Sequence, residues 1–112
     1  MTAAVYNLVI DQGSDFGVQL ALTEDGSVKD LTGYSARAQL RSKKASVDKA
    51  ADFTCTVTNP TGGLVTMSLG NTITSSLAAG IYYYDLELFT ASDAIVTRLI
   101  EGQATITQEV TR

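Results

Sequence analysis

The stretch of sequence that decides the fold is Ile81-Tyr82-Tyr83-Tyr84-Asp85-Leu86-Glu87-Leu88-Phe89. Its aromatic and aliphatic residues favour a strand, and apolar and polar side chains alternate along it with a period of two. One face would be formed by Tyr82, Tyr84, Leu86 and Leu88. Tyr83, Asp85 and Glu87 would lie on the other face, toward water. The stretch therefore predicts a β-strand with one buried face.

The same alternation recurs along most of the chain. Further strands are predicted at Val5–Ile10, Phe16–Leu22, Tyr34–Arg41, Phe53–Thr58, Val65–Leu69 and Ile95–Thr107. Asn59-Pro60-Thr61-Gly62-Gly63 is the strongest turn signal, because Pro fixes φ and Gly frees it, so Phe53–Leu69 predicts a hairpin. Gly102, inside the last run, predicts a bulge.

Two connections interrupt this series of strands. Ser42–Asp52 carries three Lys and no apolar period, which predicts a loop that could include one helical turn through Ser46–Ala51. Asn71 is predicted to cap a helical turn over Thr72–Leu77 by accepting a hydrogen bond from a free backbone N–H.

About seven strands, separated by turns every ten or so residues, are typical of a β-sandwich or barrel. A length of 112 residues suits one domain. We therefore expect an all-β protein in which residues 1–112 form a single Ig-like (immunoglobulin-like) β-sandwich of about seven antiparallel strands. The chain has one Cys and no Trp, so it lacks the paired Cys and core Trp of antibody domains, and the likeness is architectural.

The composition argues against most catalytic and metal-binding chemistry. Without His, and with Cys55 alone, the chain cannot form His-dependent triads, His-bearing zinc sites or internal disulfides. Cys55 falls on an inward series and is predicted to be structural. The Asp11–Asp15 and Glu24–Gly26 segments fit turns better than a calcium loop. Asp85 and Glu87 fit a flat polar face, so we predict no catalytic, cofactor-binding or metal-binding residue and no enzyme.

The charge pattern points away from nucleic acid and membranes. Twelve acidic side chains against eight basic ones give a formal charge of −4, whereas nucleic-acid binders carry a basic excess. No apolar window reaches the roughly 20 residues of a membrane span, and no signal peptide is recognisable, so we expect synthesis in the cytoplasm. Arg41-Ser42-Lys43-Lys44 is the densest basic stretch, which fits a solvated loop better than a phosphate-binding patch.

Several side chains are candidates for contacts with other proteins. An exposed Tyr such as Tyr83 can bury a large area at little entropic cost. The predicted interface residues are Tyr83, Arg37, Arg41, Lys43 and Lys44. The segments Ser42–Asp52 and Met1–Val5 are also predicted to make contacts, because flexible segments often become ordered on a partner.

Five stretches together resemble a known family. They are Tyr6–Phe16, Asp30–Tyr34, Ala36–Arg41, Gly80–Leu88 and Glu109–Arg112. In combination they resemble small virion structural proteins of tailed phages, notably cyanophages, and they are similar to the N-terminal domain of siphophage upper baseplate proteins.

The resemblance implies an Ig-like or related β-sandwich that serves as a building block of the particle, without catalytic residues or cofactors. We expect a tail, baseplate or neck adaptor that docks fibres or neighbouring subunits in many copies within the virion, after synthesis in the host cytoplasm. The alternative in the same class is a capsid head decoration (cement) protein. A carbohydrate-binding module is a rival from another class, although the chain lacks the Trp that such sites often use. The baseplate relatives continue into a linker and a receptor-binding or fibre region, whereas this sequence stops at Arg112, so a stand-alone subunit is expected.

Overall fold

The computed structural model describes residues 4–24, 26–45 and 48–110. Within these ranges the chain is mainly β, as the alternating pattern predicts. The elements in chain order are β1 (Ala4–Val5), β2 (Leu8–Asp11), β3 (Phe16–Ala21), β4 (Thr23–Glu24), β5 (Ser27–Val28), β6 (Ser35–Arg41), β7 (Ala51–Asp52), β8 (Thr54–Asn59), β9 (Leu64–Leu69), α1 (Asn71–Ser76), β10 (Gly80–Phe89), a 3-10 turn (Ala91–Asp93) and β11 (Val96–Thr107). None of the helices in the described ranges has the length and hydrophobicity needed to cross a membrane.

The largest sheet, sheet A, has six strands in the order β1-β11-β10-β6-β7, with β2 also paired to β11. β1 and β2 follow one another along the same side of β11, and both are parallel to it. The described residues therefore contain eleven strands, several of them only two residues long, and two parallel pairings. This differs from the seven antiparallel strands that the sequence predicts, because alternation reports which residues are buried and not the direction of a partner strand.

The second sheet, sheet B, has the order β3-β9-β8, and β4 and β5 form a separate hairpin. The predicted hairpin over Phe53–Leu69 is formed by β8 and β9. Buried side chains of sheets A and B join in one hydrophobic cluster. Fully or almost fully buried members are Ile10, Leu40, Leu86, Leu88 and Ile106 from sheet A, and Val65, Met67 and Leu69 from sheet B. Removing each from water contributes about 1.5–3 kcal/mol, so this cluster is the main support of the fold.

The bulge in β11 lies at Leu99 and not at Gly102. Leu86 pairs with Ile100 while Glu87 pairs with Arg98, which leaves Leu99 as the extra residue. Leu99 and Ile100 are consequently both buried. Gly102 stands in regular register, and glycine is required there because a Cβ would press into the backbone of Tyr6, on the neighbouring edge of the sheet.

The prediction that Asn71 caps the helix is wrong. Gly70 occupies the N-cap position and Asn71 is the first helical residue. A carboxylate from elsewhere in the chain binds the free N–H at the start of the helix. Asp15 Oδ1 accepts hydrogen bonds from the Asn71 backbone N–H at 2.8 Å and from Asn71 Nδ2 at 3.0 Å. The buried Thr74 hydroxyl donates to the Ser14 carbonyl oxygen at 2.8 Å, so three hydrogen bonds tie the helix to the segment just before β3.

The connection predicted as a loop over Ser42–Asp52 ends in a strand. β7 pairs with β6, and the Ala50 backbone N–H donates to the Leu40 carbonyl at 2.7 Å. Residues 48–51 are not helical, and Ser46 and Val47 lie outside the described residues. The helical turn through Ser46–Ala51 is thus not formed in its described part, because the backbone of that part bonds to β6 instead.

Candidate functional site on the outer face of sheet A

The outer face of sheet A carries rows of polar and charged side chains. Because residues opposite each other across paired strands share a face, the register defines these rows. They read Tyr83 beside Arg41 and Gln103, Asp85 beside Gln39 and Glu101, and Glu87 beside Arg37 and Arg98. The face therefore contrasts with sheet B, whose three strands contain no charged residue.

Arg37 is anchored to its neighbours on this face. Its Nε donates to Glu87 Oε1 at 2.9 Å, its Nη1 lies 3.4 Å from Asp93 Oδ1, and its guanidinium carbon is 4.5 Å from the centre of the Phe89 ring. The hydrogen bond to Glu87 raises the pKa of Arg37, and the charge of Asp93 adds to this. Exposed ion pairs contribute little to stability, so these contacts orient the side chain more than they stabilise the fold.

Glu87 and Arg98 stand opposite each other on β10 and β11, but each forms its ion pair with a different residue. Glu87 pairs with Arg37, and Arg98 Nη1 lies 3.7 Å from Asp85 Oδ2. Asp85 and Glu87 thus stand on the polar face of sheet A, each beside an arginine.

A shallow depression of about 150 Å³ opens beside this row. It is lined by Gln39, Arg41, Lys44, Tyr83, Tyr84, Asp85, Arg98 and Glu101. Lys44 Nζ stands 5.8 Å from the centre of the Tyr83 ring, and Arg41 Nη2 donates to Gln39 Oε1 at 2.8 Å. The structure therefore brings together three of the predicted interface residues, Tyr83, Arg41 and Lys44. We call this depression the Tyr83 pocket.

The other two predicted interface residues lie outside the pocket lining. Arg37 is two rows away along β6 and holds Glu87. Lys43 is exposed in the segment that follows β6. Of the predicted contact segment Met1–Val5, residues 1–3 lie outside the described part, and Val5 is an exposed residue of β1.

The electrostatics of the Tyr83 pocket are mixed. Three cationic side chains and two carboxylates line it, so it is locally positive in a chain of net charge −4. Partial burial raises the pKa of Asp85, the nearby Glu87 adds to the rise, and Arg98 opposes it. Within residues 4–24, 26–45 and 48–110 the Lys44 ammonium forms no salt bridge. The pocket can therefore receive hydrogen-bonding groups and an additional negative charge.

The remaining candidates have structural partners. Cys55 is half-buried, and burial raises its pKa to about 11, so it is not a thiolate at neutral pH. Asp11 accepts a hydrogen bond from the Thr107 hydroxyl at 2.8 Å, and Asp15 holds the helix. Asp25 lies outside the described residues. No group of three or more Cys, Asp or Glu capable of holding a metal occurs in the part of the chain that the structure describes.

Two features near the site could not be read from the strand pattern as it was interpreted above. Tyr84 is buried, as its inward position predicts, but its hydroxyl also donates to the Tyr6 carbonyl oxygen, and burial raises its pKa to about 12. Val9 and Ile81 lie on either side of Thr105 and are 65% and 56% exposed. The alternation of Val9 with the buried Leu8 and Ile10 could have identified this apolar row at the end of the outer face.

Comparison with known proteins does not place the chain in a family. No family model matches it, and no curated protein matches its sequence. Solved structures to which the fold is similar include Listeria monocytogenes InlP, at 17% identity and a TM-score of 0.49 over 91% of this chain. They also include a family 123 glycoside hydrolase from Clostridium perfringens, at 11% identity and a TM-score of 0.44 over 100% of this chain. The chain spans only 26% and 24% of those two proteins.

Proposed function

We propose that this protein is a non-enzymatic structural subunit of a tailed-phage virion, an adaptor at the tail, baseplate or neck that docks fibres or neighbouring subunits. The observation that carries the proposal is the Tyr83 pocket, where Tyr83, Arg41 and Lys44 meet on one sheet face. The resemblance of five stretches of sequence to phage virion proteins is the reason for assigning this docking role to a phage particle. Together they favour an assembly role over a catalytic one.

The proposal includes an Ig-like sandwich architecture. Sheets A and B would be its two layers, which the shared hydrophobic cluster supports. In that arrangement the outer face of sheet A points away from the core and is available to a neighbouring subunit.

The chemistry of the outer face suits docking to a protein surface. Tyr83 offers an aromatic ring, and Arg41, which is bonded to Gln39, adds a planar cationic group beside it. The exposed Val9 and Ile81 add apolar area at one end of the face. A single contact of this kind is weak, and symmetric copies on a particle multiply it.

The alternative within the same class is a capsid head decoration protein. It would use the same face to contact capsid subunits, so the two roles differ in position on the particle.

A carbohydrate-binding module is the second candidate function. The Tyr83 pocket favours it to a degree, because an aromatic ring stands beside the amide of Gln39 and the carboxylate of Asp85. Lys44 stands over the Tyr83 ring, however, and occupies the side where a sugar would stack. Reproducible binding of the isolated chain on a glycan array would favour this candidate over the adaptor.

Electron microscopy of intact particles labelled with an antibody against the purified chain tests the virion role. Label confined to the tail end or neck supports the adaptor, and label spread over the head supports decoration. Absence of label on intact and partly disassembled particles, with the protein abundant only in infected-cell lysate, would refute both.

Incorporation of variants into particles tests the docking face. The double variant Tyr83→Ala, Arg41→Glu is expected to be lost from purified particles while it stays folded. Thr56→Glu is the matched control, because it adds a carboxylate to an exposed position on sheet B. Equal incorporation of both variants would exclude the Tyr83 pocket as the docking site.

A further inference from the structure

The strand β3 forms an open edge of sheet B. β3 pairs with β9 on one side, and no other strand of the described residues pairs with it. The Leu22 backbone N–H donates to the Gly63 carbonyl at 2.8 Å, in the same register as the β3–β9 pairing. Because backbone groups alternate in direction along an antiparallel strand, Gly17, Gln19 and Ala21 direct their N–H and C=O groups toward the open side. All three residues are exposed.

The open edge lacks the usual protection. Natural edge strands are shortened, bulged or carry charged residues or proline, which prevents pairing with other chains. β3 is six residues long, regular, and free of charge and proline. At the opposite edge of sheet B, β8 has an irregularity between Val57 and Asn59 and is followed by Pro60. At the edges of sheet A, β1 and β7 are two residues long and β2 has four.

The fold of one copy does not explain Gly17. A Cβ at this position would meet no atom within 4 Å, and its φ lies outside the positive range. Glycine weakens a strand, and inside one it often marks the close approach of another backbone. Gly102 has such a neighbour within the chain, whereas Gly17 has an open side.

We propose that two copies of this chain pair through β3 in antiparallel orientation, with Gln19 of one copy opposite Gln19 of the other. Gly17 then stands opposite Ala21 of the second copy, and the three outward residues of each strand make about six backbone hydrogen bonds in total. The two-fold axis brings the two Gln19 residues together, and their amides can bond to each other once each Nε2 leaves Thr58 Oγ1, to which it donates at 3.5 Å in the single copy. Phe16 and Val18, which are only partly covered at this edge, gain contacts with Leu22 and Leu20 of the second copy.

The alternative register, with Val18 on the axis, is less favourable. It would pair Gly17 with Gln19 twice, for about four hydrogen bonds, and would place Asp15 opposite Ala21. Asp15 is already bound to Asn71 in its own copy.

Charge does not oppose this pairing, although each copy has a net charge of −4. The strands of sheet B contain no charged side chain. Of the nearest carboxylates, Asp15 is bound to Asn71, and Glu24 lies 3.5 Å from Lys29. Two six-residue strands form a small contact, whereas specific stable interfaces bury about 1,200–2,000 Å², so we expect a weak dimer in solution. The inference does not depend on the virion role, because it concerns sheet B and not the Tyr83 pocket.

Analytical ultracentrifugation of the full chain from about 10 µM to about 1 mM tests the pairing across the range expected of a weak dimer. The wild type is expected to pass from monomer to dimer. Gln19→Lys places two like charges on the axis and is expected to raise the dimer dissociation constant at least about tenfold. Thr56→Lys is the matched control, because Thr56 is exposed and lies in the same row of sheet B, on β8. It is expected to leave the dissociation constant within about twofold of the wild type.

Amide hydrogen exchange of the wild type supplies a second readout that needs no variant. The N–H groups of Gly17, Gln19 and Ala21 are expected to gain protection as concentration rises, while those of β8 do not. A chain that stays monomeric to about 1 mM would overturn the proposal. So would equal dimerisation of the two lysine variants, or protection that appears elsewhere. None of these outcomes bears on antibody labelling of particles, so the two proposals fail separately.

Discussion

Replacement of Gly102 by alanine should reveal how closely the two ends of sheet A approach each other. The added Cβ would lie 2.9 Å from the Tyr6 carbonyl carbon, 3.0 Å from Asn7 Oδ1, and closer still to the Tyr6 carbonyl oxygen. Backbone cannot move aside as a flexible side chain does, so the segment between β1 and β2 must shift away from β11.

Two side-chain hydrogen bonds depend directly on that segment, in addition to the bond from the Tyr6 backbone N–H to the Glu101 carbonyl at 2.9 Å. The Tyr84 hydroxyl donates to the Tyr6 carbonyl oxygen, and the Gln103 backbone N–H donates to Asn7 Oδ1 at 3.0 Å. Losing both costs about 2 kcal/mol, and overpacking adds about 1–3 kcal/mol. Alanine recovers about 0.5–1 kcal/mol, because glycine loses more backbone entropy on folding. We therefore expect a net destabilisation of about 2–4 kcal/mol, or a fall in Tm of roughly 10–20 °C for a domain of this size.

Urea and thermal unfolding, followed by circular dichroism, measure this change. Gly17→Ala is the matched control, because its Cβ meets nothing within 4 Å and its backbone is not in the left-handed region. At about 5 µM, where a weak dimer dissociates, the control is expected to be neutral or up to about 1 kcal/mol more stable than the wild type. Gly102→Ala within about 0.5 kcal/mol of the wild type would refute the close approach as the reason for glycine.

Three further predictions concern the helix, the pocket and the cysteine. Asp15→Ala is expected to lower the free energy of unfolding in urea by about 1–2 kcal/mol. Asn71→Ala should lower it clearly less, because this variant keeps the backbone N–H that Asp15 binds. Equal losses in the two variants would contradict this explanation. Burial raises the pKa of Asp85 in the folded state, so its contribution to stability is present at low pH and is lost as pH rises through the folded pKa. The stability of Asp85→Asn relative to the wild type should therefore increase from about pH 3 to about pH 7. A difference in urea midpoints that stays flat or falls over this range would show that the attraction of Arg98 outweighs burial. Because burial raises its pKa to about 11, Cys55 should react with iodoacetamide at about pH 8 on the order of 100-fold more slowly in the folded chain than in urea. Mass spectrometry follows the two reaction rates. Similar rates in the folded and unfolded chain would show that the thiol is not shielded.

Alternation could predict the strands because it follows directly from which side chains are buried. Along β10, Leu86 and Leu88 are fully buried and Tyr84 nearly so, as the period of two requires. The same signal placed Cys55 on an inward series and Asp85 on the outer face. These assignments need only the pleat of a strand and no knowledge of the partner.

The pairing of strands could not be predicted in this way. A bulge needs one extra residue opposite two others, and Leu99 has an apolar side chain like its neighbours, so nothing in the sequence sets it apart. Gly102 attracted the prediction because its real constraint, the backbone of Tyr6, is nearly a hundred positions away along the chain. The prediction of the helix cap was wrong for the same reason, because Asp15, which binds Asn71, is 56 positions away along the chain.

The candidate site was half predictable. Alternation could assign both Tyr83 and Arg41 to the outward-facing positions of their strands. The register of β10 and β6 then places them side by side. The position of Lys44 over the Tyr83 ring depends on how the chain leaves β6, which no periodic pattern encodes. The sequence therefore indicated which types of residue line the pocket. Only the structure shows that Arg37 and Lys43 lie outside it.

The parallel pairing of β2 with β11 sets the order in which this molecule can be completed during synthesis. Gln103 and Asn7, joined by a hydrogen bond beside that pairing, are 96 positions apart. At translation rates of about 5–20 residues per second, β2 leaves the ribosome roughly 5–20 seconds before the strand it needs. During that interval Leu8 and Ile10 have no place in the sheet. A nascent chain of this protein therefore exposes an unsatisfied apolar segment until β11 has left the ribosome, which makes that segment a natural point of contact for chaperones.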